Sequence, residues 1–368
     1  MPRSPFDVND RTHVLGTFPA RELTTAHRLL WADFQKQNPS FDSAFYSPDF
    51  TSLVADVRDD VEIAVMRHGD EIAGFFPFLR ARNNIARSVA GRLTEFQGPI
   101  CRRGFAWDPG ALIRSSRLRA WYFDHLPMCQ ASMETHAWGT VPSPYIDLEG
   151  GFRSYESGIH QRGRTIEQIH RKARKLAREV GPLRFDLHTG DERVFTTLLQ
   201  WKSEQHRQRG QVQIFSLPWV SALFERIRGH SSDGMKGVLS ALWSGDRLAA
   251  AHLGLRSSRV LHLWFPTYNR ALEHYSPGLI MLLHLAEHAA ADDVTRIDLG
   301  TGEERYKQQL KSGDTPLLVG GIDLWPARAR LRKNWYALNQ WVGRSRYREY
   351  LEIPLNSTRR YRQWLGFR

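Results

Sequence analysis

The 368-residue sequence predicts an α+β protein made of two tandem halves, each a mixed, mainly antiparallel sheet flanked by helices, followed by a basic helical tail. Three observations carry that expectation. The length exceeds what one hydrophobic core usually supports. His68 to Arg80, HGDEIAGFFPFLR, can be laid over Ser244 to Arg256, SGDRLAAAHLGLR, with Gly, Asp, Ala, Leu and Arg identical at matching places. Around both segments the chain repeats one order of elements, two helical stretches and then a hairpin, which argues against a doubly wound parallel sheet.

The elements follow in order. Leu23 to Gln37 and the stretch near Ser47 to Val57 read as helices. Val61, Ile63 and Val65 alternate ahead of Gly69-Asp70 and a second strand-like run, so this segment is a β-hairpin with a Gly-Asp turn. Gly139 to Gly158 is rich in Gly, Pro and Ser, reads as a crossover segment and puts a boundary near residue 155. His160 to Val180 is then an amphipathic helix: Ile166, Ile169, Ala173, Leu176 and Val180 recur at helical spacing, beside seven Lys or Arg. Helices over 192–230 precede the second hairpin, where Val238, Leu239, Ala241 and Trp243 lead into Gly245-Asp246, and Arg259 to Asn269 is a further strand. The expected division is 1–155, 156–325 and a tail at 326–368.

Composition places the chain among ordinary globular proteins, with 41% hydrophobic and 24% charged residues. No apolar run approaches a membrane span, and the first residues lack the apolar stretch of a signal peptide, so a cytoplasmic location is expected. Cys101 and Cys129 match no metal-ligand or redox spacing. The formal net charge is +12, and the segment 322–368 holds ten Arg and one Lys against three acidic residues, an excess of eight. Such clusters are either solvated faces or attractors for an anionic partner: a nucleotide-linked substrate, a CoA phosphate, a membrane surface or RNA.

The segment His274 to Lys307 holds the chemistry. Ser276 is suited to cap a helix, Pro277 to its first position, and Gly278 leaves the backbone open where amide N–H groups lack intrahelical partners. The amides from Tyr275 to Leu279 therefore form a candidate cradle for a diphosphate; an ordinary capped helix is the alternative. Asp298 lies inside the short apolar strand Arg296 to Gly300, where a carboxylate costs free energy unless it is paired or working. The chain leaves that strand through Gly300 and Gly302 and presents Glu303, Glu304, Arg305, Tyr306 and Lys307. Tyr306 can give a proton and Lys307 can hold a phosphate or carboxylate. Equally, Asp298 can cap a turn and the Tyr-Lys pair can be helix surface.

The order of helix pair, Gly-Asp hairpin, strand, Ser-Pro-Gly helix and D-L-G-T-G-E-x-x-Y-K resembles the GNAT-like acyltransferases of the CelD/BcsL kind, associated with cellulose and other polysaccharide biosynthesis. The resemblance runs from about residue 20 to 325 and includes Ser143 to Ile146 and the basic helix from Arg164 to Lys172. These proteins are similar to FemX-type aminoacyl transferases, which are built from two GNAT-like halves. The Q/R-x-x-G-x-G/A loop of ordinary GNAT enzymes is absent. The resemblance implies transfer from acyl-CoA, acetyl-CoA foremost, to an amine or hydroxyl of a saccharide or other small-molecule acceptor, including nucleotide-linked ones, with no metal. It implies that Tyr275, Ser276, Pro277, Gly278 and Leu279 hold the donor's diphosphate and that a backbone N–H at the end of the strand 260–265 stabilises the oxyanion. Asp298 or His252 would take the acceptor's proton and Tyr306 would protonate the thiolate. Glu303, Arg305 and Lys307 would serve substrate binding, with Trp264 and Tyr268 stacking on a sugar ring.

Three other readings use the same residues. His284, Glu287 and His288 spell the H-x-x-E-H zinc-peptidase pattern, a reading set against the expectation of no metal. The basic helix and tail suit a nucleic-acid binder, although Leu331, Trp335, Leu338 and Trp341 also fit a helix docked on the body. A FemX-type enzyme using aminoacyl-tRNA would keep the fold and change the donor. No G-x-S-x-G elbow, P-loop or G-x-G-x-x-G occurs, which sets aside serine hydrolases, P-loop NTPases and dinucleotide enzymes.

Overall fold

A computed structural model describes residues 12–344. In chain order its first elements are β1 (Thr12–Pro19), α1 (Thr25–Gln37), α2 (Pro48–Ala55), β2 (Val61–His68), β3 (Glu71–Ala81), β4 (Ile85–Arg87), β5 (Ile100–Cys101), α3 (Pro109–Ser115) and β6 (Ala120–Pro127). Next come β7 (Ala137–Asp147), α4 (Gly151–Gln161), α5 (Thr165–Glu179), β8 (Leu183–Asp186), α6 (Glu192–Gln208), α7 (Pro218–Gly229), β9 (Lys236–Ser244), β10 (Arg247–Arg256) and β11 (Val260–Tyr268). The last are α8 (Pro277–Ala291), β12 (Arg296–Asp298), α9 (Arg305–Leu310), β13 (Gly313–Asp323) and α10 (Pro326–Arg344). The described residues form two compact units: 12–41, 54–140 and 318–344 in one, 42–53 and 141–317 in the other. The division falls inside β7 and β13.

Unit one orders its strands β1-β2-β3-β4-β6, with β5 on β3. Its core is aromatic: Phe76 stacks on Phe78 with centroids 5.2 Å apart, Trp121 packs on Phe76 at 4.6 Å, and Phe75 stacks on Trp31 of α1 at 5.1 Å. Unit two orders its strands β7-β12-β11-β10-β9-β8. Here α4, α5 and α8 share one apolar core with Leu242, Ala250, Leu261, Leu263 and Ile297, and Phe224 of α7 stacks on Trp264 at 4.9 Å.

The internal similarity extends to backbone register. Val61 faces Leu79 in the first hairpin and Gly237 faces Leu255 in the second, both at the same offset. In each, one extra residue interrupts the ladder, Ala73 in β3 and Ala249 in β10, at matching positions. Both turns need a left-handed first residue, supplied by Gly69 (φ 61°) and Gly245 (φ 56°). A shared bulge is harder to obtain by chance than a shared turn, because bulges redirect the strand and must suit everything packed on it.

Three expectations change. The segment read as a crossover is regular structure, the end of strand β7 followed by the start of α4; in β7, Pro142 and Pro144 sit two apart and withhold N–H groups on one edge, yet the Pro144 carbonyl still accepts from Leu299 N–H. The basic region 160–180 is not one helix, because the chain breaks at Gly163 (φ 153°) between α4 and α5. The tail is helical through Arg344, but of the apolar line Leu331, Trp335, Leu338 and Trp341, all exposed, Leu331, Leu338 and Trp341 do not dock it. Its seat in unit one is polar and aromatic: Arg328 pairs with Asp323 at 3.5 Å, Arg332 lies 3.9 Å over the Tyr122 ring, and Tyr336 packs on Trp138. No described helix is long and apolar enough to cross a membrane.

Candidate active site

The site begins where two strands part. β11 and β12 pair in parallel over three residues, Val260–His262 against Arg296–Asp298. Beyond His262, β11 continues to Tyr268 while β12 has ended, so this stretch keeps its antiparallel partner β10 and has no strand pairing on its other edge among the described residues. After Asp298 the chain turns through Gly300 (φ 69°) and Gly302 (φ 139°). Those positive φ values explain the Gly-Thr-Gly spacing, and a Cβ on Gly302 would also come within 2.2 Å of Glu304 Oε2 and 3.1 Å of Lys307 Nζ. Lys307 differs from its expected role: it is buried, donates to the Gly300 and Thr301 carbonyls at 3.2 and 2.9 Å, and pairs with Glu304 at 3.2 Å. Its ammonium staples the loop and has no capacity left for a substrate anion. Glu303 and Arg305 are exposed, and the half-buried Tyr306 ring packs against the unit-two core.

The tip of α8 is built differently from the expected cap. Ser276 occupies the left-handed region (φ 56°, ψ 53°) and its side chain accepts no capping bond. That conformation is set as the chain swings from the turn Arg270–Tyr275 into α8, with Ser276 N–H bonded to Glu273 O at 2.8 Å. The hydroxyl instead accepts a 2.6 Å bond from Lys172 Nζ of α5. Tyr275 is anchored to the same helix: its hydroxyl donates to Glu179 at 2.9 Å, and Lys175 lies 5.7 Å over its ring. Gly278 faces Tyr268, whose ring would be 3.3 Å from an added Cβ, and Tyr268 donates to Glu273 at 3.2 Å. Ser276, Gly278 and Leu279 stay half-exposed. An ammonium and the positive end of a helix thus converge on one accessible spot, an arrangement of like sign that an anion stabilises.

Beneath the parting strands lies a buried polar group. Asp298 is 1% exposed; Oδ1 accepts from Ser143 Oγ and Gly300 N–H, each at 2.9 Å, and Oδ2 makes no hydrogen bond among the described residues. A ring nitrogen of His262 lies within 4.8 Å of the Asp298 carboxylate. His262 Nε2 is 2.9 Å from Ser43 Oγ, and burial drives this histidine's pKa down to about 4 against the pull of Asp298. One oxygen of Asp298 therefore caps the turn, while the other lies 3.9 Å from Arg296 Nη2 and makes no hydrogen bond among the described residues. His252 is also shut inside, fully buried, its pKa driven to about 3 by burial, with its ring over Gly254. Its burial matches that of His262 and Asp298, but unlike them it lies away from the point where β11 and β12 part, on β10. Trp264 is corrected, since its ring is buried between Phe224 and Phe45, at 4.9 and 6.0 Å. Lys202 of α6 lies 5.8 Å from the Phe265 ring, and burial, aided by Arg209 and Lys307 against Glu304, brings it down to about 8. Lys172, Lys202 and His262 were not singled out from sequence; Lys172 stood within the quoted basic helix, whereas the other two carry no local signal.

His284, Glu287 and His288 do bring their ligand atoms within 4.8 Å of one another on α8. Phe185 packs on both rings, at 5.7 and 4.9 Å, and His288 Nδ1 bonds the His284 carbonyl at 2.9 Å.

Residues 163–308, which span α5 to α9, match a family described as an acetyltransferase (GNAT) domain. No curated protein matches the chain. Among solved structures, the chain is similar to the C-terminal domain of a protein described as a lysylphosphatidylglycerol synthetase from Agrobacterium fabrum, with a TM-score of 0.51 and 12% identity over 84% of this chain and 95% of that one. It is also similar to a tandem GNAT protein from the clavulanic acid biosynthesis pathway (TM-score 0.49, 10% identity, 86% and 99% covered) and to FemX (0.48, 9%, 74% and 89%). With the parted strands and the α8 tip inside the matched segment, residues 163–308 are an acetyltransferase (GNAT) domain in an α+β GNAT fold, and the chain is an acyltransferase.

Proposed function

We propose that the chain transfers an acyl group, acetyl foremost, from CoA to an amine or hydroxyl of a sugar, a polysaccharide precursor or a related small molecule. The observation that carries this reading is the meeting of Lys172 with the N-terminus of α8 at 2.6 Å from Ser276 Oγ. The Gly278 N–H and Lys172 suit a diphosphate, and the unpaired edge of β11 offers backbone groups to the pantetheine amides. In the reaction the acceptor nitrogen or oxygen bonds to the thioester carbon and the C–S bond breaks. The acceptor's proton passes through water to the Asp298–His262 pair, where Oδ2, 3.9 Å from Arg296 and without a hydrogen bond among the described residues, supplies the receiving site, and Tyr306 returns a proton to the sulfur. Glu303, Arg305 and Tyr268 border the acceptor. Two fused halves, divided near residue 155 and working in the cytoplasm, remain part of this proposal.

One observation favours a second donor. Arg162, Arg164, Arg171, Arg174, Lys175 and Arg178 are all exposed around α5, a face suited to a polyanion such as aminoacyl-tRNA. Thiol release from acetyl-CoA over a panel of amino sugars and nucleotide sugars tests the first reading. Release that Lys172→Glu abolishes supports it; no release with any acceptor, together with protection from melting by charged tRNA and not by acetyl-CoA, replaces it with the second.

A further inference from the structure

Exposed apolar surface on this protein is concentrated in one place. Eight large hydrophobic side chains are exposed among the described residues, and six of them, Leu324, Trp325, Leu331, Trp335, Leu338 and Trp341, fall within 18 consecutive positions at and along α10. Leu331 is 70% exposed, Trp341 60% and Leu338 49%. A helix that packs by its apolar stripe buries such residues. α10 does the reverse, because Arg328, Arg332 and Tyr336, spaced four apart, take the inward line against Asp323, Tyr122 and Trp138. At roughly 100° per residue, Leu331, Leu338 and Trp341 fall on the adjoining outward stripe, and the exposed Arg330 and Lys333 flank it on the far side. The segment 322–368 carries an excess of eight positive charges.

From this we infer that α10 is a docking surface for an anionic lipid bilayer, lying in the interface plane with Leu331, Leu338 and Trp341 immersed and Arg330 and Lys333 at the headgroups. Leucine and tryptophan with flanking arginine is the composition an interfacial helix uses, the apolar stripe giving depth and the cations selecting anionic headgroups. Charge complementarity separates this occupant from others. A second copy would bring the same positive excess against itself, and RNA would gain from arginine and tryptophan but nothing from two exposed leucines. The helix is about 28 Å long at 1.5 Å per residue, which is length enough to lie on a surface.

Sedimentation of the full chain with vesicles of phosphatidylcholine alone, or mixed with phosphatidylglycerol, tests this. The expected result is at least about tenfold more binding to the mixed vesicles, reversed by high salt. Leu331→Ser with Leu338→Ser, and separately Arg330→Glu with Lys333→Glu, should each reduce that binding at least about tenfold. Acyl transfer to a soluble acceptor and far-UV circular dichroism should be unchanged, since all four positions are exposed. Equal binding to both vesicle types, or none to either, overturns the inference. A wild-type dimer in solution that the leucine pair dissolves, without vesicle binding, assigns the surface to a second copy. RNA retention that mixed vesicles do not compete assigns it to nucleic acid. The comparison of vesicle types uses the unaltered protein, so misfolding of a variant leaves the test intact.

Discussion

The hairpins β2–β3 and β9–β10 share register, turn and bulge, yet they are filled in opposite ways. Where the first has Phe75, Phe76 and Phe78, the second has Ala251, His252 and Gly254 at the matching places. Phe76 and Phe78 stack on each other at 5.2 Å and complete an aromatic core. In the second hairpin the Gly254 position is held open by the His252 ring, whose Cε1 would be 2.4 Å from an added Cβ, and the neighbouring strands bury His262 and Asp298. One scaffold thus serves packing in unit one and a polar interior in unit two. Burying imidazole and carboxylate costs stability that phenylalanine would supply, and the parted strands and the α8 tip lie in the unit that accepts this cost.

Four measurements sharpen that contrast, taken from the largest effect to the smallest. Asp298→Asn keeps the bonds to Ser143 and Gly300 while removing the receiving oxygen, and should lower kcat about 1000-fold with little change in KM for acetyl-CoA. A comparable kcat in the variant would return Asp298 to a purely turn-capping role. Lys172→Glu places a carboxylate at the α8 tip and should raise that KM about 100-fold, read by steady-state kinetics. Gly254→Ala meets the His252 ring and the His262 carbonyl at 2.4 and 2.5 Å, and should cost about 2 kcal/mol in chemical denaturation.

The fourth is pH dependence. His252 and His262 have folded pKa values of about 3 and about 4, below the ordinary histidine value. The unfolded chain therefore takes up protons that the native state refuses. Stability is full above about pH 6.5 and falls by about 1.4 kcal/mol per pH unit for each histidine as pH drops toward 4. His252→Leu should remove about half of that slope, and an unchanged slope would show that other groups set it.

Much of the fold was legible because it is periodic or punctuated. Alternation around Gly69-Asp70 and Gly245-Asp246 marked both hairpins, and the fivefold match between them pointed to the register they share. The glycines at 300 and 302 were visible as punctuation, and their positive φ values give the reason. What stayed hidden depends on pairing between distant segments. His262 opposes Asp298 only once β11 and β12 are in register, Ser43 reaches His262 from 219 residues away, and Lys172 meets Ser276 across 104. Lys307 was misread because a lysine at the start of a short helix looks solvent-facing in sequence, whereas two positive-φ glycines fold the loop carbonyls around it. The α10 stripe was misassigned for the opposite reason: its apolar spacing suits docking, but the polar line beside it won the seat on unit one.

In the proposed reaction Lys172 and the amide tip of α8 together receive the diphosphate of the acyl donor. Thermal melts with and without acetyl-CoA, on the wild type and on Lys172→Glu, test it most directly. The expected result is a concentration-dependent rise in Tm for the wild type that is lost in the variant while its unliganded Tm is retained. No rise in the wild type, or an equal rise in the variant, would contradict it.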